Sequence, residues 1–188
     1  MTSPIWHPFT QHALFPTMRK IDRAKGAWLY ASDGARIFDA ISSWWVVTHG
    51  HNHPHIVNAI KTQADELDQV IFAGYTHAPA ERFAEKLLAR LPGALTRVFF
   101  SDSGSTAVEV AIKMALGFWR HSGDGRSGLI VMENGYHGDT VGTMSAGQRG
   151  VFNQPYDPLL FAVETLPFPH PGQEQATLDR LEGLCRTG

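Results

Sequence analysis

The sequence predicts an α/β fold with a mainly parallel sheet, and three observations carry that prediction. Val98-Phe99-Phe100 reads as a short apolar strand, and the polar, permissive run Ser101-Asp102-Ser103-Gly104-Ser105-Thr106 then ends it. Beyond Thr106, Val108, Ile112 and Ala115 or Leu116 recur at helical spacing. Leu129-Ile130-Val131-Met132 is a continuous apolar run, as expected of a strand buried on both faces of a parallel sheet. Two helical patterns precede the first strand, so strands and helices alternate.

Taken in order, residues 1–25 read as an irregular aromatic arm, because three prolines work against regular structure around Trp6, Phe9 and Phe15. Trp28-Leu29-Tyr30 and Arg36-Ile37-Phe38-Asp39 flank Ser32-Asp33-Gly34-Ala35, a hairpin signal with Asp-Gly in the turn. Ile41 to Val47 is expected to be extended, in which case Trp44 and Trp45 point to opposite faces and one of them leaves the core. His49, His51, His53 and His55 alternate, but they lack metal-site spacing and have no cysteine or carboxylate close in sequence, so no metal site is expected. Gly50, Asn52 and Pro54 mark that segment as a turn into a helix whose stripe is Ile56, Ile60 and Leu67. A second helix starts at Pro79, turns Phe83, Leu87, Leu88 and Leu91 inward, and ends at Pro92-Gly93.

Ser122-Gly123-Asp124-Gly125 turns the chain after the central helix. Phe161-Ala162-Val163 is expected to be a further strand and Gln175 to Leu184 a short amphipathic helix. The expected division is an arm and β segment at 1–48 and a larger α/β part at 49–188. Strand-to-helix loops carry the sites of open α/β sheets. Ser103-Gly104-Ser105 and Asn134-Gly135-Tyr136-His137-Gly138-Asp139-Thr140 are therefore expected on one rim. Backbone N–H groups at a helix start suit a phosphate, and Tyr136 offers a flat face. A phosphorylated planar ring would fit that set.

With 188 residues, 43% of them hydrophobic, and a formal charge of −2, the composition is that of a soluble domain large enough for one core. The near-neutral balance offers no electrostatic case for nucleic acid or an anionic membrane. The start lacks the pattern of a secretory signal, no apolar run reaches bilayer length, and the single cysteine, Cys185, excludes an internal disulfide. A cytoplasmic location follows as the expectation.

Trp6-His7-Pro8-Phe9-Thr10, Ser42-Ser43-Trp44-Trp45, His49 to Pro54, Thr76-His77-Ala78-Pro79-Ala80, Asp102 to Ser105 and Asn134 to Thr140 run colinearly. Through them the sequence resembles the class III pyridoxal-phosphate aminotransferases, and the Trp-His-Pro and Ser-Ser-Trp-Trp segments resemble the biotin branch. The resemblance implies the N-terminal portion of a fold type I enzyme, a homodimer when full length. It also implies pyridoxal 5'-phosphate as cofactor and transfer of an amino group to 8-amino-7-oxononanoate, with S-adenosylmethionine as donor. By the same resemblance Gly104 and Ser105 hold the cofactor phosphate, Tyr136 and His137 sit at the cofactor, and Trp44, Trp45, Phe9 and Tyr136 meet substrate. Asp139 and Ser103 support them from behind. Phe9 stands where many adenosylmethionine-using members carry Tyr, so lysine stays open as the donor. Lys20, Lys25, Lys61, Lys86 and Lys113 match no Schiff-base position of the family, whose lysine is expected beyond Gly188. Glu109 and Lys113, four apart on one helix, are expected to form a surface ion pair. Two alternatives remain: an aminotransferase of ω-amino acids or diamines, and a non-catalytic truncated cofactor-binding protein.

Overall fold

The computed structural model describes residues 3–187, which divide between Arg82 and Phe83 into two compact units. In the first unit, β1 (Ile21–Lys25), β2 (Trp28–Ala31) and β3 (Arg36–Phe38) make an antiparallel sheet in that order. The hairpin lies where Asp-Gly predicts it. Gly34 takes a φ of 86°, and the Asp33 carboxylate accepts the Ala35 N–H at 2.9 Å, so the turn is closed by its own side chain. Register sets Trp28 opposite Phe38, and the rings meet edge to face at 5.2 Å. β1 corrects the reading of 1–25 as irregular throughout: past the last proline of the arm, Ile21–Lys25 can donate to a ladder, and it pairs with β2.

Ser42–Trp45 is a further correction. It is not extended but a single helical turn, α1 (Ser42–Trp45), and both tryptophans are exposed. α2 (Pro54–Glu66) then begins with Pro54 in its first turn, where a missing N–H costs nothing. α3 (Ala78–Leu88) follows, with the boundary between the units inside it.

In the second unit, α4 (Gly104–His121) is the long central helix, and β4 (Ile130–Met132) pairs in parallel with β5 (Glu164–Leu166). The parallel arrangement agrees with the sequence expectation. Val98–Phe100, expected as a strand, forms none, and the ladder of this unit joins β4 to β5. The last strand lies at Glu164–Leu166 rather than at Phe161–Val163, which approaches the sheet as a connection. There the Phe161 N–H donates to Ser145 Oγ and its carbonyl accepts from Arg149. Two further elements, α5 (Val141–Ala146) and a 3-10 turn at Gln154–Leu159, are too short to carry a long apolar period in the sequence. α6 (Glu174–Thr187) closes the unit, with Thr177 Oγ1 donating to the Pro167 carbonyl.

The core is smaller than the composition suggests. Among the described residues the buried apolar side chains are Ala31, Ala146 and Leu166, while Ile60, Phe83, Met114 and Ile130 stay exposed. The expected helical stripes exist but are only partly covered among the described residues: Leu87, Leu88, Val108, Ile112 and Leu116 are half-buried. No helix among these residues is long and apolar enough to cross a membrane.

Candidate functional site

α4 starts on a capping box. Ser103 is extended, with φ −156°, and its hydroxyl oxygen accepts the Thr106 N–H at 3.1 Å, while Thr106 Oγ1 accepts the Ser103 N–H at 3.0 Å. Thr106 Oγ1 also donates to Asp102 Oδ1 at 2.8 Å, and that bond holds the Asp102 carboxyl below its ordinary range. Ser103 is thus a helix cap first. The N–H groups of Gly104 and Ser105 find no acceptor among the described residues, and a side-chain carbon added to Gly104 would meet nothing within 4 Å. Two free donors, the positive end of an 18-residue helix and an open approach make a cradle for an anion.

The segment after β4 packs onto this cradle. Gln148 holds its base, donating its N–H to the Gly135 carbonyl at 2.8 Å and accepting the Asn134 N–H at 3.1 Å. Gly138, at φ 125°, lies so close to Ser105 that an added Cβ would overlap Ser105 Oγ and stand 3.0 Å from its Cα. Ser105 and the Tyr136–Asp139 segment are therefore neighbours, as the rim argument expects. Tyr136 is 75% exposed and its hydroxyl donates to Asp139 Oδ2 at 3.0 Å. That bond, helped by desolvation, pushes the phenol pKa up, so the side chain stays neutral. The His137 ring is exposed and packs against Gly135.

Glu109 departs from the expectation of an ion pair with Lys113. Its Oε1 accepts the Thr140 hydroxyl at 2.6 Å and the Gly142 N–H at 2.8 Å, and these bonds draw it to the start of α5. Lys113 adds only a longer-range pull. The Thr140 bond leads the effects that hold the Glu109 carboxyl below its ordinary range. Glu109 thereby ties α4 to the far end of the Tyr136–Asp139 segment. The only local hint was helical spacing, which pointed to the wrong partner.

In the first unit, Phe9 stacks on Trp44 with centroids 5.9 Å apart and planes 11° from parallel, and Trp44 and Trp45 stand 5.3 Å apart at 51°. All three are strongly exposed. Ser42, Ser43, Trp44 and Trp45 have φ of 49°, 46°, 65° and 67°, four consecutive left-handed residues without a glycine. Such backbone costs about 1–2 kcal/mol per residue. Asp39 opposes that cost: Oδ1 accepts the Ser43 N–H at 3.0 Å, and Oδ2 accepts the Ser43 hydroxyl at 2.8 Å. His51 Nε2 reaches the same Oδ2 at 2.7 Å, so one histidine of the alternating run has a carboxylate partner after all, twelve positions upstream. Among the described residues no group of three or more His, Cys, Asp or Glu could hold a metal.

These bonds, the Ser43 N–H first and His51 next, lower the Asp39 pKa from 3.8 to about 2. A carboxylate depressed on folding stabilises the fold above its unfolded value and loses that contribution as pH falls. The aromatic turn is accordingly expected to persist at pH 5 and to melt between about pH 4 and pH 2. Circular dichroism of the tryptophans during an acid titration checks this; a turn that melts well above pH 4 would contradict it.

The architecture is that of an α/β protein with an anion cradle at a helix start. The family model for class-III aminotransferases matches residues 10–186, and the chain belongs to that family. It is 51% identical over 181 residues to the adenosylmethionine-8-amino-7-oxononanoate aminotransferase of Synechococcus elongatus, covering 96% of this chain and 43% of the relative. The crystal structure of the enzyme of the same name from Methanocaldococcus jannaschii matches with a TM-score of 0.87 and 37% identity, over 98% of this chain and 42% of that one. An amine transaminase from an uncultivated Pseudomonas species, in its PLP-bound form, matches at 0.81 and 31% identity, over 100% of this chain and 45% of its own. The fold is that of the fold type I aminotransferases, and the chain spans less than half the length of these relatives.

Proposed function

We propose that the full-length protein carrying this chain is a pyridoxal-phosphate aminotransferase. It would transfer an amino group to 8-amino-7-oxononanoate, giving 7,8-diaminononanoate for biotin synthesis, with S-adenosylmethionine as donor. The observation that carries this reading is the alignment of adenosylmethionine-8-amino-7-oxononanoate aminotransferases along almost the whole chain. On this reading residues 1–48 are an arm and β segment, and residues 49–188 are the first part of the cofactor-binding domain of a cytoplasmic homodimer. The lysine that the chemistry requires is placed outside residues 1–188.

The residues present fit the cofactor. Its phosphate would take the free N–H groups of Gly104 and Ser105 at the start of α4, in the space that Gly104 leaves open. Bound, the cofactor supplies an aldehyde that takes up an amino group and gives it away. The chain's own residues bind and orient. Tyr136, tethered to Asp139, would lie flat against the cofactor ring with His137 beside it. Phe9, Trp44 and Trp45 would wall the apolar chain of the keto acid and keep water from it.

Purified full-length protein is expected to form 7,8-diaminononanoate from the keto acid when given S-adenosylmethionine, and lysine in its place tests the other donor left open by Phe9. A second reading, an aminotransferase of amines or ω-amino acids, is favoured by the likeness to the Pseudomonas transaminase. Faster turnover of amine donors with pyruvate, and no diaminononanoate, would establish that reading in place of the first.

A further inference from the structure

We propose that Asp39, braced by His51, is a positioning residue that locks Ser42–Trp45 in its left-handed turn and so sets the Trp44 ring against Phe9. Four side-chain-bearing residues in a row do not hold positive φ by local preference, so something beyond the turn must hold them. Within the turn the backbone supplies Trp45 N–H to Ile41 O at 2.9 Å and Val47 N–H to Ser42 O at 3.0 Å. A left-handed and a right-handed turn could both make bonds of that pattern. The Asp39 carboxylate removes the ambiguity. It receives the Ser43 N–H on one oxygen and the Ser43 hydroxyl on the other, a pair of bonds that ties the backbone and side chain of one residue at once.

The lock is anchored at both ends to the Gly26-Ala27 connection between β1 and β2. The Asp39 N–H donates to the Ala27 carbonyl at 2.9 Å. His51 exchanges two backbone bonds with Gly26, at 2.8 and 3.0 Å, and Gly50 lies against Gly26 closely enough to leave little room for a side chain. The Asp39 side chain is 5% exposed and that of His51 15%, so the bond between them is shielded while the tryptophans they serve face outward. A shielded polar pair under an exposed aromatic platform orients the platform. The consequence for substrate, an acceptor chain held by Trp44, rests on the function proposed above; the lock itself does not.

The test uses the full-length holoenzyme with Asp39→Asn, His51→Gln, His51→Ala and Ser43→Ala. Trp44 and Trp45 are close and tilted enough to give an exciton couplet in circular dichroism, assigned as the signal that Trp45→Phe removes. Asp39→Asn and His51→Ala are expected to lose most of the couplet. His51→Gln keeps an N–H donor near the same point and is expected to retain it. Bound cofactor should stay at its parent level in all of them. KM for 8-amino-7-oxononanoate should rise about tenfold in Asp39→Asn with kcat within about twofold, the pattern of lost uniform binding. A full couplet in Asp39→Asn overturns the lock. Loss of the couplet with KM unchanged supports the lock and counts against the substrate role given to Trp44. Should Asp39→Asn fail to fold, Ser43→Ala decides, since it removes only one hydroxyl: a weakened couplet supports the lock, and an intact one overturns it.

Discussion

Replacing Gly138 with alanine in the full-length protein is expected to abolish cofactor retention and to lower stability. Two effects add. At φ 125° a side chain is strained by about 1–3 kcal/mol wherever the space is open. Here the space is filled: the new carbon would overlap Ser105 Oγ and come within 2.7 Å of its Cβ and 3.0 Å of its Cα. A hydroxyl can rotate away, but the Cα belongs to the first turn of α4, so relief must shift the donors of the cradle. Cofactor absorbance after gel filtration and a thermal melt measure the two consequences. The double variant Gly138→Ala with Ser105→Gly removes the overlapping side chain and should regain part of the melting temperature, yet not the cofactor. A single variant that keeps parent absorbance and melting temperature would show that the Gly138–Ser105 contact is dispensable.

Glu109→Ala is the second large effect, expected to cost about 1–3 kcal/mol of folding stability. It leaves the Gly142 N–H, in a buried glycine, without its acceptor, while the Thr140 hydroxyl can turn to Thr143 Oγ1, 2.9 Å away. Glu109→Gln keeps one acceptor oxygen and should cost about 1 kcal/mol. The pH dependence carries a sign. The Glu109 pKa is lowered on folding, so its contribution is full above the ordinary glutamate value of 4.5 and fades as pH falls below it. Urea melts of the parent should show that acid-side loss and those of Glu109→Gln should lack Glu109's share of it. An alanine variant within about 0.5 kcal/mol of the parent would rule the clamp out.

Local chemistry made part of this molecule legible. Asp33-Gly34 closes its turn with atoms from the same four residues, and Ser103 caps α4 with the N–H of Thr106, so both could be read from spacing alone. Pro54 announces α2 in the same way. β1 was hidden because its evidence is a partner, β2, and not a pattern of its own. Glu109 was misassigned for a related reason: the helical neighbour Lys113 is visible at four residues, while Thr140 and Gly142 are thirty-one and thirty-three away.

The sequence by itself determined the hairpin, the capped start of the central helix, the strand at Ile130–Met132 and membership of the aminotransferase family. Each rests on contacts a few residues long, or on motifs whose order along the chain is specific. Tertiary structure alone decided the hand of Ser42–Trp45 and the partner of Glu109. It also decided the need for glycine at 138. In the first of these, propensity favours extended or right-handed backbone, and Asp39 and His51 reverse the preference from outside the turn. At Gly138 the obstacle is Ser105, thirty-three residues earlier, whose side chain occupies the space a Cβ would need.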